Sequence, residues 1–439
     1  MLSFKSIKEK VLTSRFLKDS FWSVFGSGMG YGLMLLAGIV IARFLGKDLY
    51  GEYGFVKTTM FQFAAFATLG LGYTSTKFIA EYKKKDATQI APIINASVNI
   101  TLITSCIVAL AILVFANPLA KFLKEPTMTL ALRALAIVVI LKALCTTQFG
   151  ILAGLGKFKD IAKINAASGI TLLIACIPLT YIFSLNGSLT SLVFSQALCL
   201  ILNFIAIRKS CGWGFSAKRN NKYVWTITRF SIPVAMQELT FALSQWLGIL
   251  IIGRFGTFGE VGLYTASDMW NSVILIIPSM LSNVIISHLS SNMDNIEKQK
   301  RNVNMMLLVN LACTIIPFTV VTIASPLIIA MYGHTFVDMQ PVLKIITCSS
   351  IFICCSNVLS AELLSQGSTW TLFAIRSTRD FLIVAIGYFL ITLHNGVNAA
   401  QDYATSSLIC AALFLFLLFV YYKFFLIKKT NNIRILDNQ

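Results

Sequence analysis

The chain has 439 residues, of which 56% are hydrophobic and 12% are charged, with a formal net charge of +18 and a mean hydropathy of +0.77. Soluble domains carry about 25% charged residues, so this composition excludes an ordinary soluble protein and predicts an all-α integral membrane protein. Most of the basic residues lie in short loops and tails between apolar runs, where the positive-inside rule places them. The charge is therefore a topology signal, and nucleic acid is not an expected partner.

Twelve apolar runs follow one another along the chain, each close to the roughly 20 residues that one spanning helix needs. They lie at about 21–43, 53–72, 90–116, 129–151, 164–183, 188–207, 230–254, 262–288, 303–324, 341–364, 372–393 and 398–426. This order predicts a cytoplasmic segment 1–20, a first six-helix lobe 21–207, a cytoplasmic linker 208–229, a second six-helix lobe 230–426 and a cytoplasmic tail 427–439. Of the 36 basic residues, 27 fall in the assigned cytoplasmic segments and three in outer loops, which predicts that both termini are cytoplasmic.

The first span carries four glycines at alternate positions, Gly26, Gly28, Gly30 and Gly32. Glycines spaced four apart let neighbouring helices approach closely. They also let a helix bend, as a hinge does. Both interpretations remain open from the sequence.

A short stretch of the first half returns in the second half, 211 residues later. Ile41–Tyr53 aligns with Ile252–Tyr264, and the matched residues are Arg43, Phe44, Gly51 and Tyr53 with Arg254, Phe255, Gly262 and Tyr264. In each copy an apolar run ends at the arginine, a glycine-containing loop follows, and a second apolar run begins. The repeat predicts two helical hairpins in two pseudo-symmetric halves.

Reactive residues do not form the patterns that soluble enzymes use. Nine of the ten cysteines lie in apolar runs, so neither a disulfide framework nor a metal site is expected. There is no phosphate-binding Gly-x4-Gly-Lys-Ser/Thr loop, and no Ser-His-Asp arrangement can be placed. His288 is expected at the cytoplasmic end of the eighth span, as an interfacial residue or a proton relay. The sequence thus predicts a protein that is not an enzyme and holds no cofactor.

Several charged residues lie where lipid is expected, at a cost of roughly 2.5 kcal/mol or more each unless they face a partner or a wet cavity. The clear cases are Lys57, Lys142, Glu238, Asp268 and Glu362. The 211-residue shift also places Lys57 onto Asp268 and Arg133 onto Lys344.

These charges allow two interpretations. In the first, Lys57 and Lys142 hold an anionic headgroup, and a carboxylate exchanges protons or Na⁺ to drive a cycle. In the second, the charges form static or gating ion pairs, for example Lys57 with Asp268. Arg43 and Arg254 end their spans near the outer surface, where a long side chain either snorkels to headgroups or contacts substrate.

The motifs together resemble a known family. The Arg-x-Leu-Gly-x4-Gly-x-Tyr stretch at 43–53, Gly-Leu-Gly at 70–72 and Gly-Leu-Gly-Lys-Phe at 154–158 are similar to those of the polysaccharide flippases, which export O-antigen and capsule repeat units. These belong to the superfamily of multidrug, oligosaccharidyl-lipid and polysaccharide exporters. The second half departs from the pattern, with Gly256-Thr-Phe-Gly259 in place of Leu-Gly and Gln366-Gly-Ser368 in place of Gly-Leu-Gly-Lys.

The resemblance implies a MATE-like fold of two six-helix bundles in the bacterial cytoplasmic membrane. It implies ion-coupled alternating access that moves undecaprenyl-pyrophosphate-linked oligosaccharide from the cytoplasmic to the outer leaflet. Its expected partners are membrane lipids, H⁺ or Na⁺, and the polymerase and glycosyltransferases of the same pathway. By residue type the substrate-binding candidates are Lys57, Arg133, Lys142 and Arg43. The coupling-ion or gate candidates are Asp268, Glu238 and Glu362.

Other functions compete with this one. A cation-coupled drug or metabolite antiporter of the MATE type is the alternative within transport: the lysines argue against cationic drugs, and Asp268 or Glu238 argues for them. A polysaccharide polymerase or ligase is also a multi-span protein, but such enzymes usually need a large outer loop, and no expected outer loop exceeds about fifteen residues. A scaffold without transport activity is a further alternative.

Overall fold

The computed structural model describes residues 15–126, 128–213, 222–278, 296–365 and 369–437. Within these ranges the chain forms α-helices and two short 3₁₀ turns, and no strand occurs. The helices are α1 (Arg15–Thr68), α2 (Leu71–Lys85), α3 (Ile90–Phe122), α4 (Met128–Gly154), α5 (Phe158–Cys211), α6 (Lys222–Phe255), α7 (Phe258–Ile274), α8 (Ile296–Ile323), α9 (Ser325–Tyr332), α10 (Met339–Ser365), α11 (Thr369–Leu393) and α12 (Ala399–Asp437). The predicted all-α class is confirmed.

Seven helical segments among the described residues are long and apolar enough to cross a membrane. They are Gly28–Thr68, Ala87–Phe122, Met128–Gly154, Phe158–Cys211, Arg301–Ile323, Met339–Leu363 and Ala399–Phe424. Large apolar side chains stand out from them, for example Ile107 and Leu110 of α3, which are 63% exposed. Such a surface is stable only against lipid, because water would leave this apolar area unburied.

The two longest helices each change direction at a single residue. At 54 residues, α5 would measure about 81 Å if straight, far more than the roughly 30 Å of a bilayer core. Its regular dihedral angles are interrupted at Ser184 (φ 51°), and those of α1 are interrupted at Gly46 (φ 72°). A positive φ strains a residue with a Cβ, and glycine accepts it without that cost. The first predicted hairpin is therefore present, but its turn is one residue and not the longer loop that the sequence suggested.

A second difference concerns the segment after the second predicted span. The second predicted span ends at about residue 72, but the chain stays helical in α2 as far as Lys85. The helix break lies earlier, at Leu69 (φ 48°) and Gly70 (φ 70°). Both residues adopt left-handed backbone, which ends α1 and redirects the chain into a short separate helix.

Contacts divide the chain into two compact units, Met1–Trp246 and Leu247–Gln439, and the division falls inside α6. Contacts between residues distant in the sequence hold the first part of α6 in the first unit. The Ser231 hydroxyl hydrogen-bonds to Thr74 of α2 at 2.8 Å, and the Tyr223 hydroxyl donates to Gln89 Oε1 at 2.9 Å. Just before α6, Trp213 Nε1 donates to Asn95 Oδ1 at 2.6 Å.

Glycine brings two helices of the first unit into backbone contact. A Cβ built on Gly150 of α4 would overlap the carbonyl of Gly72 in α2, and one on Gly154 would lie 2.9 Å from Ile79. Thr76 Oγ1 stabilises the contact by donating a hydrogen bond to the Gly150 carbonyl at 2.9 Å. The crossing of α2 and α4 therefore depends on the absence of side chains at these positions.

The glycines of the first span behave differently from one another. A Cβ on Gly26 would lie 2.5 Å from Ala162 of α5, so close packing is confirmed at that position. Gly28 and Gly32 have no neighbour within 4 Å of such a Cβ. The only non-helical backbone within α1 is at Gly46, so none of these glycines bends the helix in this structure.

The second unit opens with the second copy of the repeat. α6 ends at Phe255, and Thr257 caps α7 by accepting a hydrogen bond from the Glu260 amide at 3.3 Å. The predicted second hairpin is thus present as well. Further along, Glu260 Oε2 accepts from the Ala400 amide at 2.8 Å and so caps α12. The predicted features at His288 and at 366–368 lie outside the described residues.

Candidate functional site

Lys57 lies in the second half of α1, inside a candidate membrane span, and is only 8% exposed. Its ammonium stands 5.9 Å from the centre of the Tyr53 ring, one helical turn earlier. The electron-rich face of an aromatic ring attracts a cation, and the attraction grows when both are removed from water. The ring therefore offsets part of the cost of holding a lysine within the membrane.

Lys142 lies near the middle of α4, and its ammonium sits 4.6 Å above the ring of Phe61 in α1. Within the described part of the chain it forms no ion pair with a carboxylate. Phe61 follows Lys57 by four residues, so both positions lie on one face of α1. The structure thus brings Lys57 and Lys142 to the same face of one helix, which the sequence alone did not reveal.

The two arginines assigned to substrate binding do not join this pair. Arg133 is exposed and donates from Nη2 to Asn117 Oδ1 at 3.4 Å. It precedes Lys142 by nine residues on the same helix, an axial distance of about 14 Å. Arg43 is exposed three residues before the Gly46 kink. Both arginines stand at helix ends, so their assignment to the substrate stays a prediction.

Glu238 lies in the first part of α6 and is half-buried. It interacts electrostatically with the hydroxyl of Tyr73 in α2. Because contacts assign this part of α6 to the first unit, the carboxylate shares a compact unit with Lys57 and Lys142. The sequence had placed it in the other half of the repeat.

Asp268 of α7 belongs to a polar cluster of the second unit. It interacts electrostatically with the hydroxyls of Tyr264 and Tyr403, whose rings are 5.4 Å apart. Tyr403 of α12 fits into a notch formed by Gly248 of α6 and Gly387 of α11, since a Cβ on either glycine would overlap its ring or hydroxyl. Four helices therefore fix the position of this tyrosine.

A partly buried ion pair completes the cluster, and sequence analysis missed it. Arg379 donates to Asp380 Oδ1 from Nε at 2.9 Å and from Nη2 at 2.6 Å, and its guanidinium lies 4.6 Å from the centre of the Phe414 ring. Asp380 is 5% exposed and interacts electrostatically with Tyr403. The predicted span 372–393 corresponds to α11, which begins slightly earlier, at Thr369, and includes both Arg379 and Asp380. The sequence signal for this earlier helix start is the largely apolar run 369–375, which precedes the first arginine of α11.

Glu362 has a different environment. It lies in α10, is 0% exposed, and interacts electrostatically with Tyr422 of α12. Its neighbours Ala361 and Leu363 belong to an apolar cluster with Val303 of α8. The Glu362 carboxylate therefore lies beside an apolar cluster, whereas Asp268 interacts with two tyrosines.

Comparison with known proteins identifies the family. The sequence model of the family described as "polysaccharide biosynthesis protein" matches residues 40–341. The chain belongs to this family. Together with its apolar helices, this membership makes the chain a multi-pass membrane protein of polysaccharide biosynthesis.

Two relatives extend the match. The succinoglycan biosynthesis transport protein ExoT of Rhizobium meliloti (strain 1021) is 23% identical over 334 residues, which are 75% of this chain and 65% of that one. A protein of Shigella flexneri named as an O-antigen transporter is 21% identical over 417 residues, 90% of this chain and 96% of its own. The chain thus spans just under two thirds of the ExoT length and nearly all of the second relative.

Solved structures show the same fold at low identity. An inward-facing MATE-family multidrug transporter has a TM-score of 0.81 at 13% identity, covering 92% of this chain and 96% of that one. The lipid II flippase MurJ in an inward closed conformation has a TM-score of 0.73 at 16% identity, and the match covers 90% of this chain and 86% of that one. The predicted MATE-like architecture is supported at the level of the fold.

Proposed function

We propose that this protein flips undecaprenyl-pyrophosphate-linked oligosaccharide repeat units from the cytoplasmic to the outer leaflet for surface polysaccharide biosynthesis. The family and the named transport functions of ExoT and the Shigella relative support this proposal. In this proposal the chain crosses the bacterial cytoplasmic membrane twelve times with both termini cytoplasmic. It works by alternating access, with the polymerase and glycosyltransferases of the pathway as partners.

The observation that carries the proposal is the environment of Lys142. Its ammonium rests on the Phe61 ring and, among the described residues, pairs with no carboxylate. A cation already neutralised by a carboxylate would gain little from an anionic ligand. One stabilised only by a ring retains its full charge for a pyrophosphate, because the interaction of two charges is strong where water is scarce.

Lys57 lies on the same face of α1 as the ring that holds Lys142, so the proposal assigns both lysines to the pyrophosphate. Arg43 and Arg133, at the helix ends, would contact the headgroup as it enters or leaves. The carboxylates Asp268, Glu238 and Glu362 would bind the coupling ion, H⁺ or Na⁺, or gate the path. Asp268 is favoured among them, because it interacts electrostatically with both Tyr264 and Tyr403.

Export by Lys142 variants tests the proposal. We expect Lys142→Ala to insert and accumulate like the wild type but to lose polysaccharide display at least tenfold. Lys142→Arg should keep part of the activity, since it preserves the charge. Surface polysaccharide is measured by immunoblotting in a strain that lacks its own flippase, at equal membrane abundance of each variant.

A matched control is Lys121→Ala, which removes an exposed cation from the end of α3 and should leave export unchanged. Full polysaccharide display in Lys142→Ala would refute the headgroup role. Failure of the wild-type protein to restore display, together with proton-dependent efflux of an organic cation, would instead favour the drug antiporter.

A further inference from the structure

The second unit carries an apolar trough on its outer surface. α10 packs against α8 on one side and α12 on the other, and the trough of about 470 Å³ lies along α10 between these two walls. Phe352 and Cys355 form part of its floor, and Leu308 and Phe416 stand on the walls. The volume falls within the range of about 300–1,000 Å³ typical of small-molecule sites.

The trough is open toward the bilayer. Its wall residues Leu308 and Phe416 are 67% and 63% exposed. The lining of α12 extends from Ala412 to Phe419, about 10 Å along the helix axis. These residues lie in the second half of the candidate span Ala399–Phe424, so the trough lies within one leaflet of a hydrocarbon core of about 30 Å.

Both walls lead to a basic residue. On α8, Arg301 precedes Leu308 by seven residues, and on α12, Lys423 follows Phe416 by seven, so each lies on the same helix face as the trough lining. The Lys423 ammonium stands 5.1 Å from the Phe419 ring. Both basic residues are exposed and lie at the limits of candidate spans, where headgroups are expected.

These two cations stand at the same end of the trough. One apolar cluster contains Val303 of α8 together with Leu363 of α10 and Tyr422 of α12. The beginning of α8 therefore lies beside the ends of α10 and α12. The nearby carboxylate of Glu362 is 0% exposed and faces the protein interior, so it does not occupy the headgroup position.

We propose that the trough binds an acyl chain of an anionic glycerophospholipid, with the lipid phosphate held between Arg301 and Lys423. Basic side chains between spanning helices at the membrane surface attract anionic headgroups. An apolar chain in the trough covers side chains such as Leu308 and Phe416, which are exposed in the described part of the chain. A trough confined to one leaflet suits a phospholipid chain better than the much longer polyprenyl chain of the proposed substrate. The assignment does not depend on the proposed function.

Native mass spectrometry of the full-length protein in detergent tests the site, with phosphatidylglycerol and phosphatidylcholine of the same chains as probes. We expect phosphatidylglycerol to bind more tightly. Arg301→Gln with Lys423→Gln should weaken its binding about 25-fold, at roughly fivefold for each basic residue. Ala412→Phe should weaken binding about tenfold, because the ring fills the trough while both charges remain.

Two controls match these changes. Arg208→Gln with Lys209→Gln removes the same charge from the end of α5, and Ile409→Phe adds a ring to α12 outside the trough. Both should bind phosphatidylglycerol like the wild type. Only variants that elute from gel filtration at the wild-type volume are compared, so that each is folded. If the double variant aggregates, Lys423→Gln alone replaces it, and we expect it to bind phosphatidylglycerol about fivefold more weakly.

Three results would overturn the assignment. Equal binding of the two phospholipids to the wild type would remove the headgroup site. Equal losses in the control variants would make the effect nonspecific. Displacement of phosphatidylglycerol by polyprenyl phosphate at lower concentration, abolished by Ala412→Phe, would assign the trough to the carrier lipid instead.

Discussion

At the scale of single residues, the Arg379–Asp380 pair shows how a charge is accommodated inside the second unit. The guanidinium contacts the carboxylate through two nitrogens and covers the Phe414 ring, so each charged group has a partner. Arg376, one turn before Asp380, adds a second positive charge nearby. The pair stands next to Tyr403, which also interacts with Asp268. Asp380 and Asp268 therefore both interact with the same tyrosine.

We predict that Arg379→Gln destabilises the protein more than the double change Arg379→Gln with Asp380→Asn. Removing Arg379 alone leaves the buried Asp380 carboxylate without its direct partner, a loss of about 3 kcal/mol because Arg376 remains nearby, whereas removing both partners leaves neutral groups that can hydrogen-bond. The melting temperature of the purified protein in detergent measures the effect. Lys85→Gln, which breaks the exposed ion pair with Glu81, serves as the control and should leave the melting temperature unchanged. Strictly additive losses would mean that the two side chains do not act as a pair.

At the scale of elements, the structure depends on where helices touch without side chains between them. α2 and α4 meet backbone to backbone at Gly72 and Gly150, with Thr76 bonded across the contact. Tyr403 enters a notch between Gly248 and Gly387 in the second unit. In both places the glycine lowers the stability of its own helix but allows the helices to pack closely. Its net effect on the stability of the protein is therefore favourable, although its helix propensity is low.

We predict opposite effects for two glycine-to-alanine changes. Gly150→Ala places a methyl group against the Gly72 carbonyl and should destabilise by roughly 1–3 kcal/mol, the usual cost of overpacking. Gly28→Ala meets open space and should be neutral or stabilising by up to about 1 kcal/mol, because alanine is the better helix former. The melting temperature of each variant, compared with that of the wild type in the same detergent, measures these changes in stability. A lower value for Gly28→Ala than for Gly150→Ala would contradict the packing argument.

At the scale of the whole molecule, two compact units share one helix. The contacts of Ser231 and Tyr223 fix the beginning of α6 to the first unit, and its last residues belong to the second. The repeat unit of the sequence and the compact unit of the structure therefore differ by the first part of α6. Glu238 consequently lies with the lysines and not with Asp268.

The proposed topology predicts which side of the membrane each loop occupies. In a variant without its ten cysteines, single cysteines at Asp48, Phe122 or Asn186 should react with an impermeant maleimide added to intact cells. Cysteines at Lys85 or Lys209 should react only after the membrane is opened. All five positions are exposed, so access depends on the side of the membrane and not on burial. Labelling of the Lys209 position in intact cells would overturn the orientation.

Much of this protein follows from the sequence alone. Apolar run length and the distribution of basic residues determined the membrane class, the all-α fold and the two hairpins, because these depend on local composition and on transfer from water to lipid. The motifs at 43–53 and 154–158 led to the family that the full comparison then confirmed. Lys57 and Lys142 were recognisable as unusual because a charge in an apolar run is costly wherever the helix packs.

Only the tertiary structure decided which of these residues lie close to one another. The Phe61 ring joins Lys142 of α4 to α1, the contacts of α6 assign Glu238 to the first unit, and α11 begins early enough to bury Arg379 and Asp380. The sequence did not specify these relations, because each depends on side chains from helices that are distant along the chain. The one-residue turn at Gly46 was missed for a related reason: a single positive φ reverses the chain without the polar segment by which loops are recognised.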